Sequence, residues 1–203
     1  LTELLAEHNI DLSIASYPWA RAIELAKAGK VNGLLTAIPA EAPTLAFTTT
    51  ETMSYQVCFF TRANESWAYE PPLTMKDKRL GVISQYGYGD EVTNFVNKPE
   101  NKSSIVSISG QNSLSRLIMM LQQSRLDILV EDVHVLTWHM KTLNLPFNNI
   151  RNAGCLAPNS FYIALNEHHE FNNQLIPILN ESLRKANNKA RLKALTQPFQ
   201  INR

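Results

Sequence analysis

Strand-like and helix-like segments alternate along most of the 203 residues, and this alternation limits the fold more than any other feature of the chain. Residues 79–84 (RLGVIS) have the continuous apolar pattern of a buried strand, and a glycine-bearing turn and a helix follow them. A strand at 104–109, a helix and the strand LDILVED come next. Strands separated by helices are typical of βαβ units. We therefore predict an α/β fold in which mostly parallel sheets are flanked by helices.

The pattern divides into two α/β blocks, residues 1–58 and 75–150, joined by a β-rich run at 54–61. A further strand at 160–166 can extend the second block or return to the first, and residues 168–195 have a helical pattern. The segments predicted in the first block are a strand at 10–16, a helix at 20–28 that stops at Gly29, and a strand at 31–38.

The composition argues against nucleic-acid binding and against a membrane-spanning helix. The net charge is +1 and 44% of the residues are apolar, so the chain lacks the concentrated basic face of a nucleic-acid-binding protein. Nowhere in the sequence do eighteen apolar residues follow one another, as a membrane-spanning helix requires. The basic residues near the end are spaced like the solvated side of a helix: Arg184, Lys185, Lys189, Arg191 and Lys193.

The sequence contains no pattern that indicates catalysis, a cofactor or a metal. His134 and His139 are five residues apart, whereas helical neighbours lie three or four apart, and His168 and His169 are adjacent. A nucleophile elbow, a phosphate-binding loop and a dinucleotide fingerprint are all missing from the sequence. We expect a protein that is not an enzyme. An enzyme on the same fold stays open as an alternative, and turnover that depends on Asp132 or Glu131 would favour it.

Five segments, taken in their order along the chain, carry a resemblance to a known family: PWARAIELAKAGKVNGLLTA, FTTTETMSYQVCFFTR, KDKRLGVISQYGYGDEV, SRLDILVEDVHVL and FYIALNEHHEFNNQLIPILNESLRKA. In these segments the chain resembles periplasmic solute-binding protein family 3, which includes the amino-acid receptors of ABC transporters. The resemblance implies a two-lobed periplasmic-binding-protein-like fold of type II, with two hinge strands. It also implies the capture of a small polar solute in a cleft between the lobes, for an ABC-type importer.

The same resemblance implies lobe 1 at 1–58 and 160–203 and lobe 2 at 59–159. It implies a monomer outside the cytoplasm, with a membrane permease or sensor as its partner. A ligand-sensing or interaction module without a transport role is the alternative. The family opens with a strand that this sequence lacks, so we expect residues to precede Leu1.

Several ligand contacts follow from the resemblance, position by position. In lobe 1 an aromatic ring, a hydroxyl and backbone groups would meet the ligand at Trp19, Thr36, Ala37 and Pro39. In lobe 2, backbone N–H groups at a helix N-terminus would bind an anion at Tyr86, Gly87 and Tyr88. A carboxylate would receive a ligand ammonium at Asp132, with Glu131 beside it.

One departure from the family concerns ligand charge. The amino-acid receptors carry an arginine after the second strand of lobe 1, where it pairs with the ligand carboxylate. Glu41 or Ala42 stands at that place in this chain. An ordinary α-amino acid therefore needs Arg21 or Arg62 to supply the positive charge, whereas Asp132 and Glu131 keep an amine-bearing or cationic solute open, so that the solute is either amino-acid-like or amine-bearing.

Four features have a second interpretation. Trp19 can be a core residue that begins a helix, and Asp132 can be the N-cap of the helix near His134. Trp67 and Tyr69 can form a lid or pack on lobe 2. The two cysteines can be buried thiols, or they can form a disulfide in an oxidising periplasm: Cys58 and Cys155.

Overall fold

The structure is a computed structural model that describes residues 1–196. The helices are α1 Thr2–Ala6, α2 Trp19–Lys27, α3 Asp90–Asn97, α4 Ser113–Gln122, α5 Val133–Thr142, α6 Glu170–Arg184 and α7 Ala186–Thr196, with 3₁₀ helices at Pro99–Ser104 and Phe147–Asn149. The strands are β1 Gly33–Ala37, β2 Ala46–Phe47, β3 Met53–Tyr55, β4 Val57–Arg62, β5 Leu80–Ile83, β6 Ile105–Ile108, β7 Ile128–Asp132, β8 Ile150–Cys155 and β9 Asn159–Leu165.

The chain forms two compact units. Unit 1 consists of Leu1–Ser54 and Ser160–Leu195, and unit 2 of Tyr55–Asn159. The chain thus passes from one unit to the other within β3 and again at the start of β9. Residues 197–203, which are part of predicted lobe 1, lie outside the described residues.

Unit 1 contains a small sheet with the order β1-β9-β2, and β3 also pairs with β9. Both β1 and β2 run antiparallel to β9, so the prediction of a mostly parallel sheet is wrong for this unit. The reason is that β9 returns from unit 2 and inserts between two strands that precede it by more than a hundred residues. The predicted strand at 10–16 is also wrong, because these residues form no regular element.

Helix α2 shows why the first predicted helix forms where it does. Pro18 precedes its first turn, where a missing N–H has no consequence. Gly29 follows with a φ of +65°, and the N–H of Lys30 donates to the carbonyl of Leu25. This left-handed glycine ends the helix and satisfies its last carbonyl groups. The buried Ala26 packs on the cluster of Leu34, Leu45 and Ala164.

Unit 2 contains a five-stranded sheet with the order β6-β5-β7-β4-β8. Strand β5 runs parallel to β6 and β7, whereas β4 runs antiparallel to β7 and β8. The carboxyl ends of β5, β6 and β7 therefore share one edge, and the start of β4 lies there too. In open α/β sheets this edge is where ligands bind.

The core of unit 2 packs helices α4 and α5 on one face of this sheet. Its fully buried members include Phe60, Leu117, Ile118, Leu121 and Leu129. Strand β8 was not predicted, since its sequence IRNAGC has few β-branched or aromatic residues. Strand β8 forms because it pairs with β4. Within residues 1–196, no helix is both long and apolar enough to cross a membrane.

Candidate functional site

Asp132 ends strand β7 and caps helix α5, as its N-cap interpretation predicted. One oxygen, Oδ1, accepts hydrogen bonds from the backbone N–H groups of His134 (2.8 Å) and Val135 (3.0 Å). The other, Oδ2, accepts one from the N–H of Gln56 at 2.8 Å. A carboxylate has about four acceptor sites, so these three donors leave capacity for a further donor at Oδ2.

Glu131 precedes Asp132 on the same strand, and its side chain points to the other face of the sheet, because successive strand residues alternate. It is 2% exposed. Its Oε1 accepts a hydrogen bond from the N–H of Asp132 at 2.8 Å, and within the described chain nothing hydrogen-bonds the buried Oε2. Burial raises the pKa of Glu131 to about 8. The structure therefore separates the two carboxyl groups that the sequence places side by side.

The loop between β5 and α3 carries the predicted Tyr86, Gly87 and Tyr88. Tyr88 is buried, and its hydroxyl oxygen accepts a hydrogen bond from the N–H of Ile83 at 2.8 Å. Tyr86 is only partly buried, and its ring lies 5.9 Å from that of Tyr88 between centroids. Tyr88 thus supports the end of β5, while Tyr86 keeps some ring surface exposed.

The first turn of α3 carries negative charge, unlike a helix N-terminus that binds an anion. Gly89 is the N-cap with a φ of +87°, and the first turn contains Asp90 and Glu91. The carboxylate of Glu91 accepts hydrogen bonds from the N–H of Leu73 (2.6 Å) and the hydroxyl of Tyr69 (2.7 Å). Acidic residues complement the positive end of a helix dipole. They also repel a second anion, which weakens the predicted role of this turn.

Arg62 lies at the end of β4 that is remote from the carboxyl ends of β5, β6 and β7. Val57 pairs with Asp132, and Arg62 is five residues further on, or about 16 Å along the strand. Its guanidinium donates to Glu65 at 2.7 Å and to Asp127 at 3.3 Å, as well as to two backbone carbonyls. The structure therefore does not bring Arg62 together with Asp132.

Trp67 and Tyr69 pack on unit 2, which favours the second of their two interpretations. The ring of Tyr69 stacks on Phe59 with 4.7 Å between centroids, and Trp67 meets Phe59 edge to face at 5.8 Å. Burial, together with the hydrogen bond to Glu91, raises the pKa of Tyr69 to about 12. Both aromatic residues thus line the face of β4 opposite the α4–α5 core.

In unit 1, Trp19 matches its interpretation as a core residue that begins a helix. It begins α2, packs partly buried on the cluster around Ala37 and Leu45, and donates its indole N–H to Glu41 Oε1 at 3.0 Å. The other oxygen of Glu41 lies 3.4 Å from the backbone nitrogen of Ile38, which donates to it. Ala42, the neighbouring residue, is fully buried.

The remaining predicted residues of unit 1 are close to Glu41 in the chain or on α2. Thr36 is half-buried and Ala37 fully buried at the end of β1, and Pro39 is exposed. Arg21 is exposed and pairs with Glu24 of its own helix at 3.3 Å. None of these contacts identifies a ligand.

Cys58 and Cys155 form a disulfide between the neighbouring strands β4 and β8.

His139 Nε2 lies 2.8 Å from the hydroxyl of Ser115, and burial lowers the pKa of His139. Among residues 1–196, no three His, Cys, Asp or Glu side chains are grouped so that they could hold a metal ion.

Sequence reasoning missed Gln56. Its backbone N–H holds Asp132, and its side-chain amide donates to the carbonyl of Leu156 at 3.0 Å. Gln56 and Asp132 are far apart in the chain, and only the pairing of β4 with β7 brings them together. No local pattern in the sequence signals that contact.

Known structures share this fold at low sequence identity. The arginine-bound form of a truncated arginine-binding protein from T. maritima superposes with a TM-score of 0.69 and 16% identity, covering 90% of this chain and 81% of that one. An L-arginine-bound amino-acid ABC transporter substrate-binding protein from Streptococcus pneumoniae gives 0.67 and 13%, over 97% and 79%. A histidine kinase sensor domain with similarity to periplasmic binding proteins gives 0.71 and 13%, over 98% and 82%.

The sequence matches no protein-family model and no curated protein. At these identities, the similarity establishes the fold. Transporter receptors and a sensor domain both occur among the similar structures, and these are binding proteins or sensors. The chain therefore has the two-lobed fold of the periplasmic amino-acid-binding proteins, and the predicted resemblance to solute-binding protein family 3 is confirmed at the level of the fold.

Proposed function

We propose that this protein is an extracytoplasmic solute-binding protein that captures a small amine-bearing or cationic solute for an ABC-type importer. The observation that carries the proposal is the Asp132 carboxylate. It lies at the carboxyl edge of the unit 2 sheet, fixed by three backbone N–H groups, with Oδ2 accepting from Gln56 alone among the contacts described. An ammonium or guanidinium group supplies the further donor that this oxygen can accept.

The charge of unit 1 supports a cationic ligand. By the resemblance to solute-binding protein family 3, Glu41 takes the place of the arginine of the amino-acid receptors, and its carboxylate would repel a ligand carboxylate. Arg21 and Arg62 are both paired with acidic side chains, so the proposed contacts do not depend on them. The contacts that we propose are Trp19, Thr36, Ala37, Pro39, Tyr86, Gly87 and Asp132, with Tyr88 and Glu131 behind them.

The disulfide supports the proposed location, since such bonds persist in oxidising compartments such as the periplasm. Two of the similar structures contain bound arginine, and arginine carries both a guanidinium group and an α-carboxylate. We expect arginine to bind here more weakly than amines of similar length without the carboxylate, such as agmatine or putrescine, because Glu41 opposes the carboxylate.

Thermal unfolding with a panel of amines, amino acids, organic acids and short peptides tests the proposal. A ligand at a hundred times its Kd adds roughly 2.7 kcal/mol of stability. Asp132→Asn is the sharpest variant, because asparagine also caps helices but carries no charge. We expect it to remain folded and to lose the shift given by the amine. Trp19→Phe, which keeps the ring but removes the indole N–H, should reduce the shift less.

A shift from organic acids alone, or an amine shift that Asp132→Asn retains, would contradict the proposal. The similar sensor domain makes ligand sensing the second candidate function. Uptake of the identified solute by cells with and without the gene separates the two candidates. Loss of uptake supports transport, and unchanged uptake together with specific binding supports sensing.

A further inference from the structure

The two cysteines of the Cys58–Cys155 disulfide differ in burial. Cys58 is fully buried, whereas Cys155 is only partly buried on the edge strand β8. Thiol–disulfide exchange begins when a thiolate attacks one sulfur in line with the bond, and access decides which sulfur is attacked. Since Cys155 packs only partly buried against the core, it is the more accessible of the two to an external thiol, and attack there makes Cys58 the leaving group.

The leaving sulfur of Cys58 would emerge in an apolar environment. Cys58 belongs to the core of unit 2 together with Ile83, Leu129, Leu136 and Met140. Burial disfavours a thiolate because it removes the water that solvates the charge. Reduction of this bond thus requires a proton at the Cys58 sulfur as the bond breaks.

Glu131 is placed to supply that proton. It is the residue directly opposite Cys58 on β7, just as Cys155 is opposite on β8, so the three residues form a row across adjacent strands. Directly opposite side chains share a face of the sheet, with Cβ atoms about 4.5–5.5 Å apart. Oε1 of Glu131 is held by the N–H of Asp132, and the buried Oε2 lacks a hydrogen-bond partner within residues 1–196.

The surroundings of Glu131 keep its carboxyl group protonated near neutral pH. Burial is the main cause that raises its pKa to about 8, and the neighbouring charge of Asp132 raises it further, against the hydrogen bond from the Asp132 N–H. Tyr88, from the loop after β5, is a further titratable group that interacts with it. Helices α4 and α5 contribute apolar side chains to the same core, including Leu117 and Leu136.

We propose that Cys58–Cys155 is a site of reduction by dithiols, with Cys155 as the attacked residue and Glu131 as the proton donor to Cys58. The dithiol's thiolate bonds to the Cys155 sulfur and the S–S bond breaks. Its electron pair goes to the Cys58 sulfur, which takes the proton of Glu131. The second thiolate of the dithiol then attacks its own first sulfur, releasing Cys155 as a thiolate and oxidising the dithiol. Glu131 and Cys155 regain protons from solvent.

Reduction has a structural consequence close to Asp132. It removes the covalent link between β4 and the edge strand β8. The residue after β8, Leu156, bonds through its N–H to the carbonyl of Val57 and through its carbonyl to the side chain of Gln56. The disulfide therefore fixes the end of β8 next to Gln56, whose backbone N–H donates to Asp132.

The first experiment identifies the attacked sulfur in the folded wild-type protein. The protein is treated with glutathione, free thiols are alkylated with iodoacetamide, and peptides are mapped by mass spectrometry. We expect glutathione on Cys155 and the alkyl group on Cys58. Glutathione on Cys58, or equally on both cysteines, would overturn the assignment. This result does not depend on any variant being able to fold.

The second experiment tests the proton donor by the pH profile of reduction. Rates with dithiothreitol over roughly pH 6 to 10 are divided by the thiolate fraction of the reagent. For the wild type we expect a constant corrected rate that falls above about pH 8, where Glu131 loses its proton. Glu131→Gln should be slower by about a hundredfold below that pH, without the bend.

Glu91→Gln is the matched control, since it makes the same substitution elsewhere in unit 2. It should leave both the rate and the bend unchanged. A Glu131→Gln protein with the wild-type profile would overturn the role of Glu131. If that variant fails to fold, a wild-type profile without a bend leads to the same conclusion.

Discussion

At the scale of single residues, two adjacent carboxyl groups show how burial separates chemically similar side chains. Asp132 is hydrogen-bonded by three backbone N–H groups, whereas Glu131 faces an apolar core with one oxygen unpartnered in the described chain. Strand alternation predicts that they point to opposite faces. The sequence pattern also predicts Asp132 as an N-cap, but its bond to Gln56 depends on strand pairing that no local pattern encodes.

The buried Glu131 predicts an unusual dependence of stability on pH. Its pKa is about 8 in the folded protein, against about 4.3 in an unfolded chain. Between these values the folded state holds a proton that the unfolded state has lost, so the free energy of unfolding falls as pH rises through this window. Glutamine at this position does not titrate. We therefore expect the stability of Glu131→Gln relative to the wild type to rise by about 5 kcal/mol between about pH 4 and pH 8.

Urea unfolding of both proteins across this pH range measures the difference between their free energies of unfolding. Because both proteins share all other titrating groups, the pH dependence of this difference reports on Glu131. The difference should be level above about pH 8 and below about pH 4, where both states hold or lack the proton equally. A constant difference over the whole range would mean that Glu131 titrates at its ordinary pKa in the folded protein.

At the scale of elements, sequence patterns predict segments whose own residues favour them. Strand β5 is an apolar run, β7 begins with one, and helices α2 and α4 have apolar faces, so each was predicted close to its observed position. Two other segments depend on partners. The alternating residues 10–16 pair with no strand and stay irregular, and β8 forms from a poor strand sequence because β4 and the disulfide hold it.

Strand β8 should therefore depend on its covalent link to β4. The disulfide joins residues 97 positions apart, and closing a loop of this length restricts the unfolded chain strongly. We expect the double variant Cys58→Ala with Cys155→Ala to lose about 2–4 kcal/mol of unfolding free energy. Urea unfolding of the variant, of the oxidised wild type and of the reduced wild type provides the measurement. Reduced wild type should resemble the double variant, and equal stability of all three samples would contradict this account.

At the scale of the whole molecule, the two units differ in how the chain builds them. Unit 1 combines two distant segments, Leu1–Ser54 and Ser160–Leu195, whereas the sheet and core of unit 2 lie within one continuous segment, Tyr55–Asn159. The sequence shows two α/β blocks, but a strand at 160–166 was compatible with either of them. The choice depends on β9, which pairs with β1 and β2 across more than a hundred residues. Such long-range pairing is what local patterns do not encode.

This difference predicts that unit 2 folds on its own. Residues 55–159 contain the five-stranded sheet, the disulfide and a core that includes Phe60, Leu117, Ile118 and Leu129. A continuous segment of about 100 residues with its own core has the usual properties of an independent domain. We expect the fragment 55–159 to unfold cooperatively in urea and to give the dispersed amide spectrum of a folded protein. The fragment 1–54 is the control, because β1 and β2 lose their partner β9, and it should remain unfolded. A fragment 55–159 without a cooperative transition would mean that unit 2 requires unit 1 for its stability.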